Sequence, residues 1–152
     1  MKSLDHWFSE YAVSHQNETN QLIHYFCVPA IFFSIVGLLM SIPPGPLTGI
    51  FPLYIPFLEN WAVVILILVL LFYFRLSFSM GFKILIFAGL CIAGNYYLSK
   101  LGELWMISLG IFVVAWIGQF YGHKVEGKKP SFLKDLQFLL IGPAWVIKKV
   151  FG

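Results

Sequence analysis

The stretch that decides the fold is Tyr25–Ile42, YFCVPAIFFSIVGLLMSI, an uncharged run that ends at the breaker sequence PPGP over residues 43–46. As an α-helix, its 18 residues extend roughly 27 Å, which is close to the ~30 Å hydrocarbon core of a bilayer. Three more apolar runs follow, and they are Trp61–Phe74, Ile84–Ser99 and Leu104–Tyr121. The sequence therefore predicts a membrane protein that crosses the bilayer as α-helices.

The composition supports this interpretation. Hydrophobic residues make up 59% of the chain and charged residues 11%, compared with roughly 45–50% and about 25% in soluble domains. A soluble fold of 152 residues has too little interior to bury so much apolar surface. These numbers exclude an ordinary cytosolic domain, a disordered chain and a disulfide scaffold. The aromatic residues lie inside the apolar runs, so no nucleic-acid partner is expected.

The predicted fold class is an all-α, multi-pass membrane helical bundle with four transmembrane helices and a short C-terminal helix. We treat residues 1–152 as one integral membrane domain, in which 1–24 form a polar helix, 25–121 the four spans and 122–152 a tail. The segment Leu47–Leu58 is expected to be an interfacial or re-entrant loop. The last apolar stretch, Leu136–Ile147, is too short to cross comfortably and is expected to be interfacial or re-entrant.

The distribution of basic residues predicts an orientation. With four spans, both termini and the loop between spans two and three share one side of the membrane. That side carries nine of the ten Lys and Arg residues, and the other side carries only Lys100. The nine are Lys2, Arg75, Lys83, Lys124, Lys128, Lys129, Lys134, Lys148 and Lys149. The positive-inside rule therefore places both termini in the cytoplasm.

The first polar segment carries three of the four histidines, His6, His15 and His24. His15 lies nine residues before His24, on the opposite face of a straight helix. The two rings can converge only if the chain bends near Asn17 or if His15 sits on a separate cap. Asn17 is a suitable N-cap for a helix that runs into the first span.

The second polar segment follows the fourth span directly and carries Gln119, His123 and Glu126, at spacings of four and three. On a continued helix all three share one face at the cytoplasmic end of the span. A polar stripe that emerges from an apolar span is costly unless it faces the protein interior or a wet cavity. The alternative is that these residues solvate the head-group region of the membrane.

The three histidines His15, His24 and His123 have the chemistry of a metal site. Imidazole suits iron, zinc and copper, and three protein ligands with open positions are typical of catalytic sites. Glu126 is a candidate fourth ligand, a base, or a partner that orients a histidine. His6 lies among charged residues and is expected to be a surface residue.

The remaining polar residues have two expected roles. Asn17, Asn20 and Gln119 suit hydrogen bonds to a substrate head group. Within the spans, Ser34, Asn95 and Ser108 are expected to be helix contacts. The two cysteines, Cys27 and Cys91, are expected to be small core residues without a disulfide.

Two motifs resemble the family of membrane-bound 2-hydroxy fatty acid dioxygenases, and the resemblance covers nearly the whole chain. The first is His-x-Asn-x-x-Asn-x-x-Ile-His at residues 15–24, followed by a span that contains Pro29. The second is Trp-Ile-x-Gln-Phe-x-Gly-His at residues 116–123, followed by a basic-Pro sequence. Gly142-Pro143 in the terminal apolar segment also matches.

The resemblance implies an Fe(II)-dependent enzyme of fatty acid α-oxidation. A long-chain 2-hydroxy fatty acid reacts with O₂ and is shortened by one carbon. Such enzymes lie in the endoplasmic reticulum of eukaryotes, and a bacterial relative is expected in the inner membrane. Carried over by position, His15, His24 and His123 are the candidate iron ligands, with Glu126 beside them. Two alternatives remain: a non-enzymatic membrane scaffold or lipid-binding protein, and a zinc-dependent lipid hydrolase.

Overall fold

The computed structural model of the chain describes residues 2–52, 57–127 and 138–152. Within these ranges the chain is helical and contains no strand. The described residues form six α-helices and one 3-10 turn, Gly45–Leu47. The α-helices are α1 (Leu4–Val13), α2 (Glu18–Met40), α3 (Trp61–Leu76), α4 (Phe78–Leu98), α5 (Leu104–Glu126) and α6 (Ile141–Phe151).

Among the described residues, three helices, α2, α4 and α5, are long and apolar enough to cross a membrane. The apolar helix α3 is shorter, with 16 residues, and the four-span count stays a prediction. Asn60 caps the start of α3, where its Oδ1 accepts a hydrogen bond of 3.1 Å from the Val63 amide. Ser77 alone separates α3 from α4. Its side-chain oxygen caps the start of α4 by accepting a hydrogen bond from the Met80 amide. The predicted all-α class and the membrane-type helices are confirmed.

The chain divides into two compact units, one formed by residues 1–32 and 112–152 and the other by 33–111. Two of the predicted helix contacts form in the second unit. Asn95, fully buried in α4, donates from Nδ2 to the carbonyl of Phe33 in α2 at 3.0 Å. A Cβ atom on Gly37 of α2 would overlap with the Asn95 amide and the Ser108 hydroxyl. Glycine at position 37 is therefore what lets α2 approach α4 and α5.

Unit one contains a second close helix contact, between the start of α2 and the end of α5. Gly118 and Gly122 lie one turn apart on α5. A Cβ on Gly118 would overlap with the sulfur of Cys27, and one on Gly122 would overlap with the amide oxygen of Asn20. Small residues at this spacing allow helix backbones to approach closely. The contact places the polar end of α5 beside the polar beginning of α2.

Helix α6 is part of unit one and packs against its other helices. Its first six residues, 141–146, are buried. The position of Gly142 leaves room for Val28 and for the hydroxyl of Tyr11, which lie 3.1 and 3.3 Å from an ideal Cβ at that site. Residues 141–147 of the terminal apolar segment therefore belong to a packed helix. Residues 136 and 137 of that segment, and residues 53–56 of the predicted loop, lie outside the described residues. Neither cysteine forms a disulfide.

Candidate metal centre

The linker between α1 and α2 provides the bend near Asn17, one of the two arrangements that would let His15 and His24 converge. Helix α1 ends at Val13 and α2 begins at Glu18. The side-chain oxygen of Asn17 accepts hydrogen bonds from the amides of Thr19 at 2.9 Å and Asn20 at 3.2 Å. The predicted N-cap is thereby confirmed. The cap turns the chain, so that His15 and His24 lie on the same side of the linker.

His15 is held at three points. Its ring stacks on Tyr11, with centroids 3.9 Å apart and ring planes 3° from parallel. Its Nδ1 lies 2.6 Å from the Tyr11 carbonyl oxygen, and its own carbonyl accepts a 2.6 Å hydrogen bond from Nε2 of Gln21. The side chain is 3% exposed. The ring orientation is therefore fixed by both stacking and hydrogen bonding.

His24 meets His15 through the facing nitrogens of the two rings. Its Nδ1 lies 2.8 Å from the Asn20 carbonyl oxygen, and its Nε2 lies 3.0 Å from Nε2 of His15. A carbonyl oxygen can only accept, so each Nδ1 carries the hydrogen. In two neutral rings the facing Nε2 atoms then both present lone pairs, which repel. A cation shared by the two nitrogens, either a proton or a metal ion, removes that repulsion.

His123 supplies the third ring of the cluster. It is buried in the last turn of α5, and its centroid lies 5.5 Å from that of His24 and 6.1 Å from that of His15. Imidazoles that share one metal at about 2.1 Å have centroids roughly 4.5–5.5 Å apart. Within the described ranges, no set of three or more His, Cys, Asp or Glu side chains lies close enough together to hold a metal ion. The arrangement is a histidine pair with a third imidazole beside it.

Glu126 contacts the linker. Its Oε1 accepts the Gln16 amide at 2.9 Å, and its Oε2 accepts the Asn17 amide at 2.8 Å and Nδ2 of Asn20 at 3.2 Å. The helix continues through Gln119, His123 and Glu126 as the spacing predicted. Both carboxylate oxygens are thus engaged with the segment that carries His15.

The two buried amides near the cluster, Asn20 and Gln119, each have a buried side-chain oxygen with no hydrogen-bond donor among the described residues. Asn20 donates to Ser14 and Glu126, while its oxygen lies against Gly122. Gln119 is 6% exposed, and its Oε1 is buried with no hydrogen-bond donor in the described part of the chain. Such an atom is costly unless a ligand or water satisfies it. Asn17, in contrast, is exposed and acts as the helix cap.

An aromatic cluster around His15 was not anticipated from the sequence. Trp145 of α6 lies 5.6 Å from His15, 5.1 Å from Tyr11 and 5.8 Å from Tyr25 between ring centroids. Phe138 packs edge-on against Tyr11 at 5.4 Å. Tyr11 stands four residues before His15, a spacing that could have indicated the contact. Trp145 gives no such local signal, because it reaches the site from the far end of the chain.

His6 lies outside the cluster, as expected for a surface residue. Its side chain is 57% exposed, and Nε2 lies 3.4 Å from a carboxylate oxygen of Glu10. Glu10 also accepts two hydrogen bonds from Lys2, at 2.9 and 3.0 Å. The Lys2 ammonium group holds the pKa of Glu10 below its ordinary value. His6 therefore belongs to an exposed charged group and provides a natural control for the buried histidines.

No curated protein and no solved structure matches the chain. The family described as 2-hydroxy-palmitic acid dioxygenase Mpo1-like matches residues 1–152, which include both histidine segments and α6. By this match over its whole length, the chain belongs to the Mpo1-like family.

Proposed function

We propose that the chain is an Fe(II)-dependent dioxygenase that shortens long-chain 2-hydroxy fatty acids by one carbon at the membrane surface. The family description supports the reaction class and the substrate. The observation that carries the proposal is the approach of the His15 and His24 Nε2 atoms to 3.0 Å, with both Nδ1 atoms bonded to carbonyl oxygens.

The chemistry of the donor set suits a ferrous ion, and the His15–His123 separation of 6.1 Å between ring centroids would have to shorten for all three rings to bind it. The Nε2 atoms of His15 and His24 lie 3.0 Å apart, a separation at which both would be able to bind one ion. The hydrogen bonds at Nδ1 fix the tautomer that leaves Nε2 available. We propose His15, His24 and His123 as the residues that hold the ion. Imidazole also suits zinc and copper, so the choice of iron rests on the family.

When bound, Fe(II) supplies the redox chemistry that O₂ needs to react with an organic substrate. The protein's own residues have distinct tasks around it. The carbonyl groups of Tyr11 and Asn20 keep the two rings in one tautomer. The aromatic rings of Tyr11 and Trp145 pack beside His15 and exclude water from it. Gln119 offers a buried acceptor, Oε1, to the substrate 2-hydroxyl.

The membrane supplies the substrate. A long acyl chain partitions into lipid at roughly 0.8 kcal/mol per CH₂ group, which leaves its carboxylate and 2-hydroxyl at the interface. His24 lies near the beginning of α2 and His123 near the end of α5, two of the helices that can cross a bilayer, and His15 lies in the linker just before α2. We propose that both of these ends, and both termini, face the cytoplasm, at the inner membrane of a bacterium or the endoplasmic reticulum of a eukaryote.

The test is turnover by the purified protein. The detergent-solubilised chain, loaded with Fe(II) without oxygen and then exposed to air, should consume O₂ and convert 2-hydroxypalmitate to a product one carbon shorter. Palmitate, which lacks the 2-hydroxyl, serves as the substrate control, and His6→Ala as the protein control. His123→Ala should lose iron and turnover together.

Three outcomes would contradict the proposal. Full turnover by His123→Ala would exclude the assigned ligand. A protein that takes up no iron and consumes no O₂ but binds the fatty acid would be a lipid-binding protein. Ester hydrolysis that depends on zinc would identify a lipid hydrolase.

A further inference from the structure

Glu126 is bound to a part of the chain far from its own helix. Helix α5 ends at Glu126 because Gly127 adopts a left-handed conformation, with φ of 80°. Here the carboxylate contacts the α1–α2 linker and the start of α2. It accepts three hydrogen bonds, from the Gln16 amide, the Asn17 amide and the Asn20 side chain. The residues joined in this way lie on either side of the histidine cluster.

The electrostatics of the two helix ends favour this contact. The C-terminus of α5 carries a partial negative charge that opposes a carboxylate, whereas the N-terminus of α2 carries a partial positive charge that attracts one. Hydrogen bonds to an ionised acceptor are about twice as strong as neutral ones. Both oxygens are engaged at 2.8–2.9 Å by backbone amides. The carboxylate is therefore committed to the linker rather than directed to the imidazole nitrogens.

We infer that Glu126 is a positioning residue, which holds the His15 linker against the end of α5 that carries His123. It acts through the backbone on either side of its contact: Gln16 and Asn17 follow His15 directly, and His123 precedes Glu126 by one turn. Loss of the carboxylate would let the linker move away and open the cluster. The inference rests on the proposed function in one respect only, namely that the histidines positioned by Glu126 bind a metal.

The first test is binding of Co(II), whose absorption bands report the ligands around it. The full chain in detergent is titrated with Co(II) as wild type, Glu126→Gln, Glu126→Ala and Glu18→Gln. Glu18 is the matched control, because it is an exposed carboxylate at the first residue of α2. Loss of a residue that orients a ligand weakens metal binding about 10–100-fold. We expect this loss in the alanine variant, a smaller one in the glutamine variant, and unchanged band positions at saturation.

Two results of the titration would overturn the inference. Wild-type affinity in both Glu126 variants would show that the carboxylate does not hold the cluster. Displaced bands in saturated Glu126→Ala would show that Glu126 is itself a ligand.

The second test needs no metal and separates this inference from the proposed function. Hydrogen exchange of peptides that span residues 14–17 is followed in the metal-free protein. Exchange should be roughly tenfold faster in Glu126→Ala, as expected for loss of a charge-assisted hydrogen bond, and unchanged in Glu18→Gln. Equal exchange in wild type and Glu126→Ala would refute positioning even if Co(II) binds. Absence of Co(II) binding by the wild type would contradict the proposed metal site, while the exchange result still decides the role of Glu126.

Discussion

Gly122 of α5 lies so close to Asn20 of α2 that a Cβ atom at position 122 would overlap with the Asn20 amide oxygen. Asn20 in turn donates to Glu126 and provides, through its carbonyl, the hydrogen-bond acceptor for His24. Asn20 therefore connects the contact between α2 and α5 to the histidine cluster. A change at this glycine is thus expected to affect the histidine cluster without contacting its rings.

Gly122→Ala should destabilise the protein by about 1–3 kcal/mol, because overpacking at a close helix contact forces side chains or backbone to shift. Metal affinity should fall in the same variant. Gly110→Ala on the same helix is the control, because a Cβ there meets no atom within 4 Å. Thermal unfolding in detergent compares the stability of the two variants, and titration with Co(II) compares their metal affinity. Equal unfolding temperatures in the two variants would contradict the close contact.

Added metal should stabilise the wild-type protein against unfolding. The facing Nε2 atoms of His15 and His24 repel when both rings are neutral, and a metal ion replaces that repulsion with two bonds. At a metal concentration of 100 Kd the gain is about 2.7 kcal/mol. Co(II) should therefore raise the unfolding temperature of wild type and His6→Ala but not that of His24→Ala. A shift retained by His24→Ala would remove the pair from the metal site.

Local patterns were enough to predict part of this site. The apolar runs indicate membrane-type helices, and the polar residues around Asn17 indicate a cap, so both the bend before α2 and the shared face of Gln119, His123 and Glu126 could be expected. Spacing could not reveal the partner of Glu126. Its carboxylate accepts from the backbone amides of Gln16 and Asn17, and nearly every residue type carries such an amide. It also could not place Trp145, whose contacts with Tyr11 and His15 depend on how α6 returns over the chain.

Tyr11 should matter through its ring. The parallel stack on His15 and the buried position of Tyr11, which is 3% exposed, predict a loss of about 3–5 kcal/mol in Tyr11→Ala, the usual cost of removing a buried aromatic side chain. Tyr11→Phe keeps the ring and should retain the Co(II) affinity of wild type. The two variants are compared by unfolding and by metal titration. Weakened binding in Tyr11→Phe would shift the role from the ring to the hydroxyl.

Asn95 should affect stability without affecting the histidine cluster. It donates to the carbonyl groups of Phe33 at 3.0 Å and Cys91 at 2.9 Å in the second unit. Asn95→Ala removes the bond between helices, and such bonds contribute about 0.6–2 kcal/mol in membrane proteins. Unfolding should occur at lower temperature while Co(II) affinity stays at the wild-type value. Reduced metal affinity in a folded Asn95→Ala protein would show that the two units are coupled.

Gln119 allows the proposed substrate contact to be separated from metal binding. Its Oε1 is buried and has no donor within the described ranges, so the ligand-free protein bears the cost of an unsatisfied acceptor. Gln119→Leu has a similar shape and removes that cost, and it should stabilise the ligand-free protein by about 1 kcal/mol or more. The same change should weaken binding of 2-hydroxypalmitate about tenfold, because a hydrogen bond to the 2-hydroxyl is worth about 1–1.5 kcal/mol. Palmitate, which offers no 2-hydroxyl, should bind the variant as well as it binds wild type. Opposite changes in stability and in 2-hydroxypalmitate affinity identify an acceptor that the substrate satisfies. If stability and affinity fell together for both fatty acids, the Gln119 amide would serve packing, and the 2-hydroxyl would need another partner.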